Sequence, residues 1–312
     1  MIKLLFQTPL LTFGENVMHI ALILLVLAII SNVRNWGGKL SNCTIGAKVL
    51  SLGSEFLLFK NKDFRRKDFD DRLVIQKGLF AVEGTQSWDD RSTDVDIFSG
   101  FSIGVNSSGL ACCDSNVEMK PSAKNYDFLT QEILEKCRSV DDAANVVEKA
   151  VHTQRYSWGN IVVATKDEVA TFQVADYVKV FRDSIQTVRT NHHIEHGRRP
   201  ILYGESTGSI ERYEVAKRLL ERVEDVDGVF EMLQSHERGL STSSICSHGR
   251  FNTVYGYVVH FKNNRVVFYV CRGSPCVGKF VAVTLNFDDE KLLRMTAEAY
   301  PSERKPQIQY SA

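Results

Sequence analysis

What most constrains this chain is the order in which its periodicities come. Short strand-forming runs occupy residues 44–51 and 55–59, and two more lie within residues 95–117 around an Asn106-Ser107-Ser108-Gly109 turn. Helical spacing follows from Tyr126 to Cys137, and again beyond Ser139, where Ser139 and Asp142 predict a capping box. Strand patterns return at Asn160–Thr165, Val169–Val174, Tyr177–Phe181 and Ile185–Thr190. Thr207 and Ser209 open a helix to about Val223, and Asp225 or Asp227 opens a shorter one. Strands at Thr253–Phe261, Val266–Cys271 and Phe280–Leu285 end the series. Tight turns between strands mean antiparallel pairing, and blocks of strands alternating with blocks of helices mean segregated layers. Residues 43–312 therefore read as one α+β domain, without repeats or a Pro/Gly-rich linker.

The first hairpin carries the chemistry. Gly53-Ser54 fits a two-residue type II′ turn, because glycine takes positive φ at little cost. Opposed residue numbers then sum to about 107. Thr44 would face Asp63, and Cys43 would face Phe64. Cys43 and Asp63, far apart along the chain, become neighbours in space.

Composition excludes some functions. The chain is 44% hydrophobic and 24% charged, with net charge zero, so no general attraction to nucleic acid is expected. Seven cysteines include no CxxC pair and fit no closed disulfide set. Residues 1–42 differ from the rest. Val17–Ile30 is a fourteen-residue apolar run, short for a membrane span and suited to a signal sequence, an anchor or a propeptide. Basic Arg34 and Lys39 after the run argue for keeping the following chain in the cytoplasm, and Met18 is a second candidate start. The expectation is a removable leader over residues 1–42, with membrane contact through residues 17–30, and localisation stays open between cytoplasm, membrane and export.

A thiol attacks as thiolate and needs a base. Cys246-x-His248 is one thiol–imidazole pair, but residues two apart on a strand share a face without facing each other. His193 and His196, three apart, lack a clear third metal ligand, so no metal is expected. The chain's own amine is another base: cleavage between Asn42 and Cys43 would put a thiol and an amine of pKa near 8 on one residue. Asp63 would orient that amine, and Asn side chains or strand-end amides would serve an oxyanion.

These residues resemble a family. Cys43-Thr44, Lys60-Asn61-Lys62-Asp63, Gly104-x-Asn106-x-x-Gly109-Leu110 with Asn116 following, Thr190-Asn191-His192, and Gly273-Ser274-Pro275-Cys276 occur in the order seen in the cysteine N-terminal-nucleophile (Ntn) hydrolases. The closest likeness is to the acyl-coenzyme A:6-aminopenicillanate acyltransferase group. Choloylglycine hydrolases and penicillin V acylases are more distant. The resemblance implies a four-layer αββα sandwich, two stacked antiparallel sheets flanked by helices. It implies Cys43 as nucleophile, Asp63 as the holder of its amine, and Asn191 with the backbone at Asn116 as oxyanion donors. Lys60 stands where many relatives have arginine. Ile245-Cys246-Ser247-His248 lacks the arginine of the group's Ile-Cys-Arg-His, and Arg250 or Arg272 is the candidate replacement at the substrate. The implied function is a self-processed thiol amidase or acyltransferase on a small N-acyl amine. No cofactor is implied, and a homo-oligomer is compatible. The competing reading is a non-catalytic, membrane-tethered protein that keeps the scaffold.

Overall fold

The computed structural model describes residues 43–65, 67–85, 98–120, 122–182, 185–194 and 206–309. Residues 1–42, expected to be a leader, lie outside them. Six strands make the first sheet: β1 (Thr44–Ser51), β2 (Glu55–Phe64), β10 (Gln186–Arg189), β11 (Asn252–Lys262), β12 (Arg265–Arg272) and β13 (Val281–Leu285). Their order is β10-β1-β2-β11-β12-β13, all antiparallel. The second sheet contains β3 (Leu73–Gln76), β4 (Leu79–Thr85), β5 (Phe98–Asn106), β6 (Ala111–Glu118), β7 (Trp158–Ala164), β8 (Val169–Val174), β9 (Val178–Arg182) and β14 (Gln307–Gln309). Its order is β14-β3-β4-β5-β6-β7-β8-β9, antiparallel except for the parallel pair β14–β3.

Side-chain alternation along the strands stacks these sheets. Ile45, Ala47, Phe56, Leu58, Tyr257 and Phe268 of the first meet Phe80, Val82, Ile103, Val105 and Val162 of the second in one buried core. Helices α1 (Asp127–Lys136) and α2 (Val140–Thr153) cover the outer face of the second sheet through Leu129, Ile133, Leu134 and Val147. Helices α3 (Ser206–Leu220) and α4 (Val226–Leu233) cover the first through Val215, Ala216, Leu220 and Val229, against Leu57 and Phe59. The result is the four-layer αββα sandwich. A last helix, α5 (Glu290–Glu298), adds Leu293 and Ala297 to the core between the sheets.

Local signals account for several boundaries. Ser139 and Asp142 form the capping box of α2 in full. Asp225 caps α4 by accepting from the Gly228 N–H at 2.9 Å. Asn106 closes the β5–β6 hairpin: its side-chain oxygen accepts from the Ser108 and Leu110 amides, and its Nδ2 donates to the carbonyls of Leu134 and Cys137 at the end of α1. The β3–β4 hairpin, turning at Lys77-Gly78, and α5 have no counterpart among the expected elements. Gly78, at φ +70°, marks that turn. The flanking runs are buried throughout β4, so they lack the alternation that marks a half-exposed strand.

The first hairpin corrects the expected register. Its loop is Leu52-Gly53-Ser54, with Ser51 opposite Glu55 and Gly53 at φ +76°. An irregularity between Val49 and Ser51 then shifts the pairing, so Thr44 opposes Asn61 and Ile45 opposes Lys60. Asp63 is thus two positions beyond the partner of Thr44. It pairs with Thr253 of β11 on its other side.

β1 sits between β10 and β2 with little room at Gly46. A Cβ there would fall 2.5 Å from the Phe59 ring and 2.5 Å from the Thr187 carbonyl oxygen. Backbone cannot yield as a flexible side chain can, so Gly46→Ala is expected to destabilise the domain by about 1–3 kcal/mol. Denaturant titration checks this; an unchanged midpoint would contradict the packing described.

Candidate active site

Cys43 is buried at the head of β1, 1% exposed and outside any disulfide. Alternation along β2 sends Lys60 and Lys62 towards the second sheet, and Asn61 and Asp63 towards the helices of the first. Both lysines are buried. Lys60 Nζ donates to Asp114 Oδ1 at 2.9 Å, to the Asp114 carbonyl at 2.7 Å, and to Ser102 Oγ at 2.5 Å. Burial opposes its charge, but Asp114, then Cys43 and Asp127, outweigh that and hold it protonated above the usual lysine range. Lys60 is therefore a fixed cation beside Cys43, with its donors occupied by sheet groups.

The second carboxyl near this lysine behaves differently. Asp127 is pushed well up from the usual carboxylate range by burial and by the charge of Asp114. It accepts from the Thr85 amide at 3.0 Å and from Asn125 Nδ2 at 2.9 Å. Asp114 also accepts from Thr130 Oγ1 of α1 at 2.8 Å.

On the outer face, Asp63 is fully buried. Its Oδ1 accepts from Thr253 Oγ1 at 2.7 Å, and that hydroxyl accepts from the Ser247 amide at 2.8 Å. Burial raises its pKa to about 7, while Arg212, the hydroxyls of Thr253 and Ser247, and Lys60 pull it back. Asp63 Oδ2 has no hydrogen-bond partner among the described residues.

Asn191 and Asn116, seventy-five residues apart, come together: Asn191 Nδ2 donates to the Asn116 carbonyl at 2.8 Å. Asn191 is tightly held. Its amide donates to Ser209 Oγ at 2.8 Å, and its Oδ1 accepts from Arg212 at 2.7 Å. Ser115 and Asn160 of the second sheet fix the preceding Thr190 carbonyl at 2.7 and 2.8 Å. The Asn116 side chain is fully buried, and neither of its polar atoms has a hydrogen-bond partner among the described residues. Thr44 Oγ1 and Asn61 Oδ1, at the same end of the sheet, are in the same condition. Such groups cost about 1–3 kcal/mol each when left unpaired.

Arg212 was not among the expected site residues. It is wholly buried on α3, donating to Asn191 Oδ1 and to the Thr242 carbonyl at 2.6 Å. Burial depresses its pKa, and Asp63 and Cys43 oppose that. A sequence signal existed: Ser209, Arg212, Val215, Ala216 and Leu220 form the buried stripe of α3, and an arginine in such a stripe needs partners. Arg250 and Arg272 are placed elsewhere. Arg250 is exposed beside Phe251, and Arg272 pairs on the surface with Glu303 at 2.9 Å and Asp70 at 3.3 Å. The buried guanidinium in reach of Cys43 and Asp63 is that of Arg212. His192 accepts a structural role: burial, then Arg212 and Arg189, lower its pKa to about 4, and its Nδ1 lies 2.9 Å from Ser209 Oγ. His193 lies against the Gly159 carbonyl at 3.2 Å, and His196 lies outside the described residues.

The sandwich with its layered sheets is the fold of the N-terminal-nucleophile hydrolases. A sequence model of one family, described as acyl-coenzyme A:6-aminopenicillanic acid acyl-transferase, matches residues 52–275, and the chain belongs to that family. It is thereby a hydrolase or acyltransferase that works on amide bonds through a cysteine. The chain is also similar, at low identity, to solved structures. A mutant of the conjugated bile acid hydrolase from Clostridium perfringens is 10% identical, with TM-score 0.49 over 86% of this chain and 99% of that one. Penicillin V acylase from Agrobacterium tumefaciens is 12% identical, with TM-score 0.46 over 78% and 86%. No curated protein sequence matches the chain.

Two outcomes follow. Lys60→Met strands the Asp114 carboxylate and is expected to cost about 3–5 kcal/mol, while Lys60→Met with Asp114→Asn costs clearly less than the two single changes together. Denaturant unfolding of the four proteins checks this; additive losses would dissolve the pair. For Asp63, the folded pKa of about 7 exceeds the unfolded value of about 3.9. The folded state therefore holds the extra proton between those values. The stability contribution is full below about pH 4 and is lost as pH rises towards 7. In the uncut full-length chain, Asp63→Asn should flatten that slope in unfolding free energies measured across this range.

Proposed function

We propose that this chain is a self-processed thiol amidase or acyltransferase acting on a small N-acyl amine, with Cys43 as nucleophile. Scission of the Asn42–Cys43 bond frees the Cys43 α-amine. That amine takes the thiol proton, and the thiolate attacks the acyl carbonyl carbon. The tetrahedral oxyanion is received by the side-chain amide of Asn191 and the backbone at Asn116, with Asn116 Nδ2 as a further donor. Collapse breaks the C–N bond, and the departing amine takes its proton from the Cys43 ammonium. A thioester remains. Water or a second amine then attacks it, gives its proton to the α-amine, and the thiol is restored. Removing one oxyanion donor from such a site costs about 10²–10³ in rate.

The observation that carries this reading is a set of buried polar atoms that find no hydrogen-bond partner among the described residues. Asn116 Nδ2 is a donor without an acceptor there, and Asp63 Oδ2 is an acceptor without a donor. An oxyanion and a freed ammonium are the complementary groups. The new positive charge would also draw the Asp63 pKa below 7, so the carboxylate would be ionised at neutral pH. Lys60 and Arg212 supply fixed positive charge that favours thiolate over thiol at Cys43.

Intact-mass analysis of the purified protein is expected to find a chain that starts at Cys43 and turns over a member of an N-acyl amine panel. Cys43→Ala is expected to abolish turnover and, where scission is autocatalytic, to keep residue 42. Undiminished hydrolysis by that variant would refute the assignment.

A further inference from the structure

Away from the thiol at the head of β1, two loops bring four soft ligands together. His236 follows α4, Cys246 and His248 precede β11, and Cys276 follows β12. One ligand atom from each lies within 4.8 Å of all the others. His248 Nε2 is 3.0 Å from His236 Nε2, 3.7 Å from Cys246 Sγ and 3.5 Å from Cys276 Sγ. In a tetrahedral zinc site, metal–nitrogen bonds of about 2.0–2.1 Å and metal–sulfur bonds of about 2.3 Å set the ligand atoms about 3.3 Å apart for two nitrogens and about 3.6 Å for nitrogen and sulfur. The three separations match those edges to within about 0.3 Å. The remaining three pairs of ligand atoms also lie within 4.8 Å, so the four can surround one ion.

We infer that His236, Cys246, His248 and Cys276 form a structural zinc site. Two sulfurs and two imidazole nitrogens with no carboxylate are the donor set of a closed structural zinc centre. On binding, each thiol gives its proton to solvent, so Zn²⁺ with two thiolates and two neutral imidazoles carries no net charge. That suits a site where Cys246 is buried and the other three ligands are half-buried.

The loops are preset for it. The Cys246 amide donates to the Ser235 carbonyl at 3.1 Å, next to His236. Ser274 Oγ, two residues before Cys276, donates to the Thr253 carbonyl at 2.9 Å. The site also adjoins the candidate catalytic carboxylate without belonging to it. Ser247, between two ligands, donates its amide to Thr253 Oγ1, which in turn holds Asp63. The Ile245 carbonyl accepts from Asn61 Nδ2 at 2.9 Å. Zinc would therefore fasten the loop that fixes both outer-face residues of the Lys60–Asp63 segment.

The test is metal analysis of the purified full chain by inductively coupled plasma mass spectrometry, after growth with zinc and dialysis without chelator. The expected result is roughly one zinc per chain. Cys276→Ser and His236→Ala should lose it, whereas Cys276→His, which keeps a ligand, should retain it. Cobalt(II) in place of zinc should give the visible bands of a tetrahedral ion and a thiolate charge-transfer band, both absent from Cys276→Ser. Cys43→Ala should keep the metal, so the outcome is independent of the catalytic proposal. A folded wild-type chain that takes up no zinc, holds a different metal, or contains a Cys246–Cys276 disulfide would overturn the inference.

Discussion

A buried ammonium has to be neutralised where it stands, and Lys60 stands between two sheets. Its partner, Asp114, belongs to the opposite sheet, and Ser102 beside it lies on the neighbouring strand. Asp114 in turn holds Thr130 of α1. One ion pair thus runs through three of the four layers. A misregistered β2 would leave a charge on each side of the core unpaired, and the effective penalty is several kcal/mol per ion. The pair contributes specificity more than net stability. Cys43, next to it, inherits a fixed position and a positive neighbour.

The same strand divides its labour by alternation. Lys60 and Lys62 face the second sheet, and Asn61 and Asp63 face the helical layer. Charged groups therefore stand on both faces of the sheet at the end where Cys43 enters β1. Arg212 completes the arrangement from outside. It links the helix that covers the sheet to Asn191, and through Asn191 to Asn116 of the second sheet.

Much of this was legible in the residues because local chemistry carried it. Ser139 with Asp142, Asp225 and the Asn106–Gly109 turn each act within a few residues of themselves. The succession of short strands and helices was enough to give the layers. The hairpin register was not legible, because one extra residue near Leu50 changes every later pairing, and nothing in the local sequence requires it. Arg212 was hidden by its company on a polar-looking helix, and its role depends on partners more than twenty residues away. The four zinc ligands were hidden more deeply. They come from two loops, with spacings unlike any short paired-cysteine motif.

The C-terminal segment has a consequence for the edge of the second sheet. Ser302 and the Glu303 amide hold Asp70 at 3.1 and 2.8 Å, and β14 then lies along β3 in parallel. Without that cover, β3 would present the unpaired backbone of Val74, Ile75 and Gln76 to solvent. A bare apolar margin of this kind recruits strands from other molecules. Strand β14 therefore acts as a selvedge: it keeps the second sheet from continuing into its neighbours along β3.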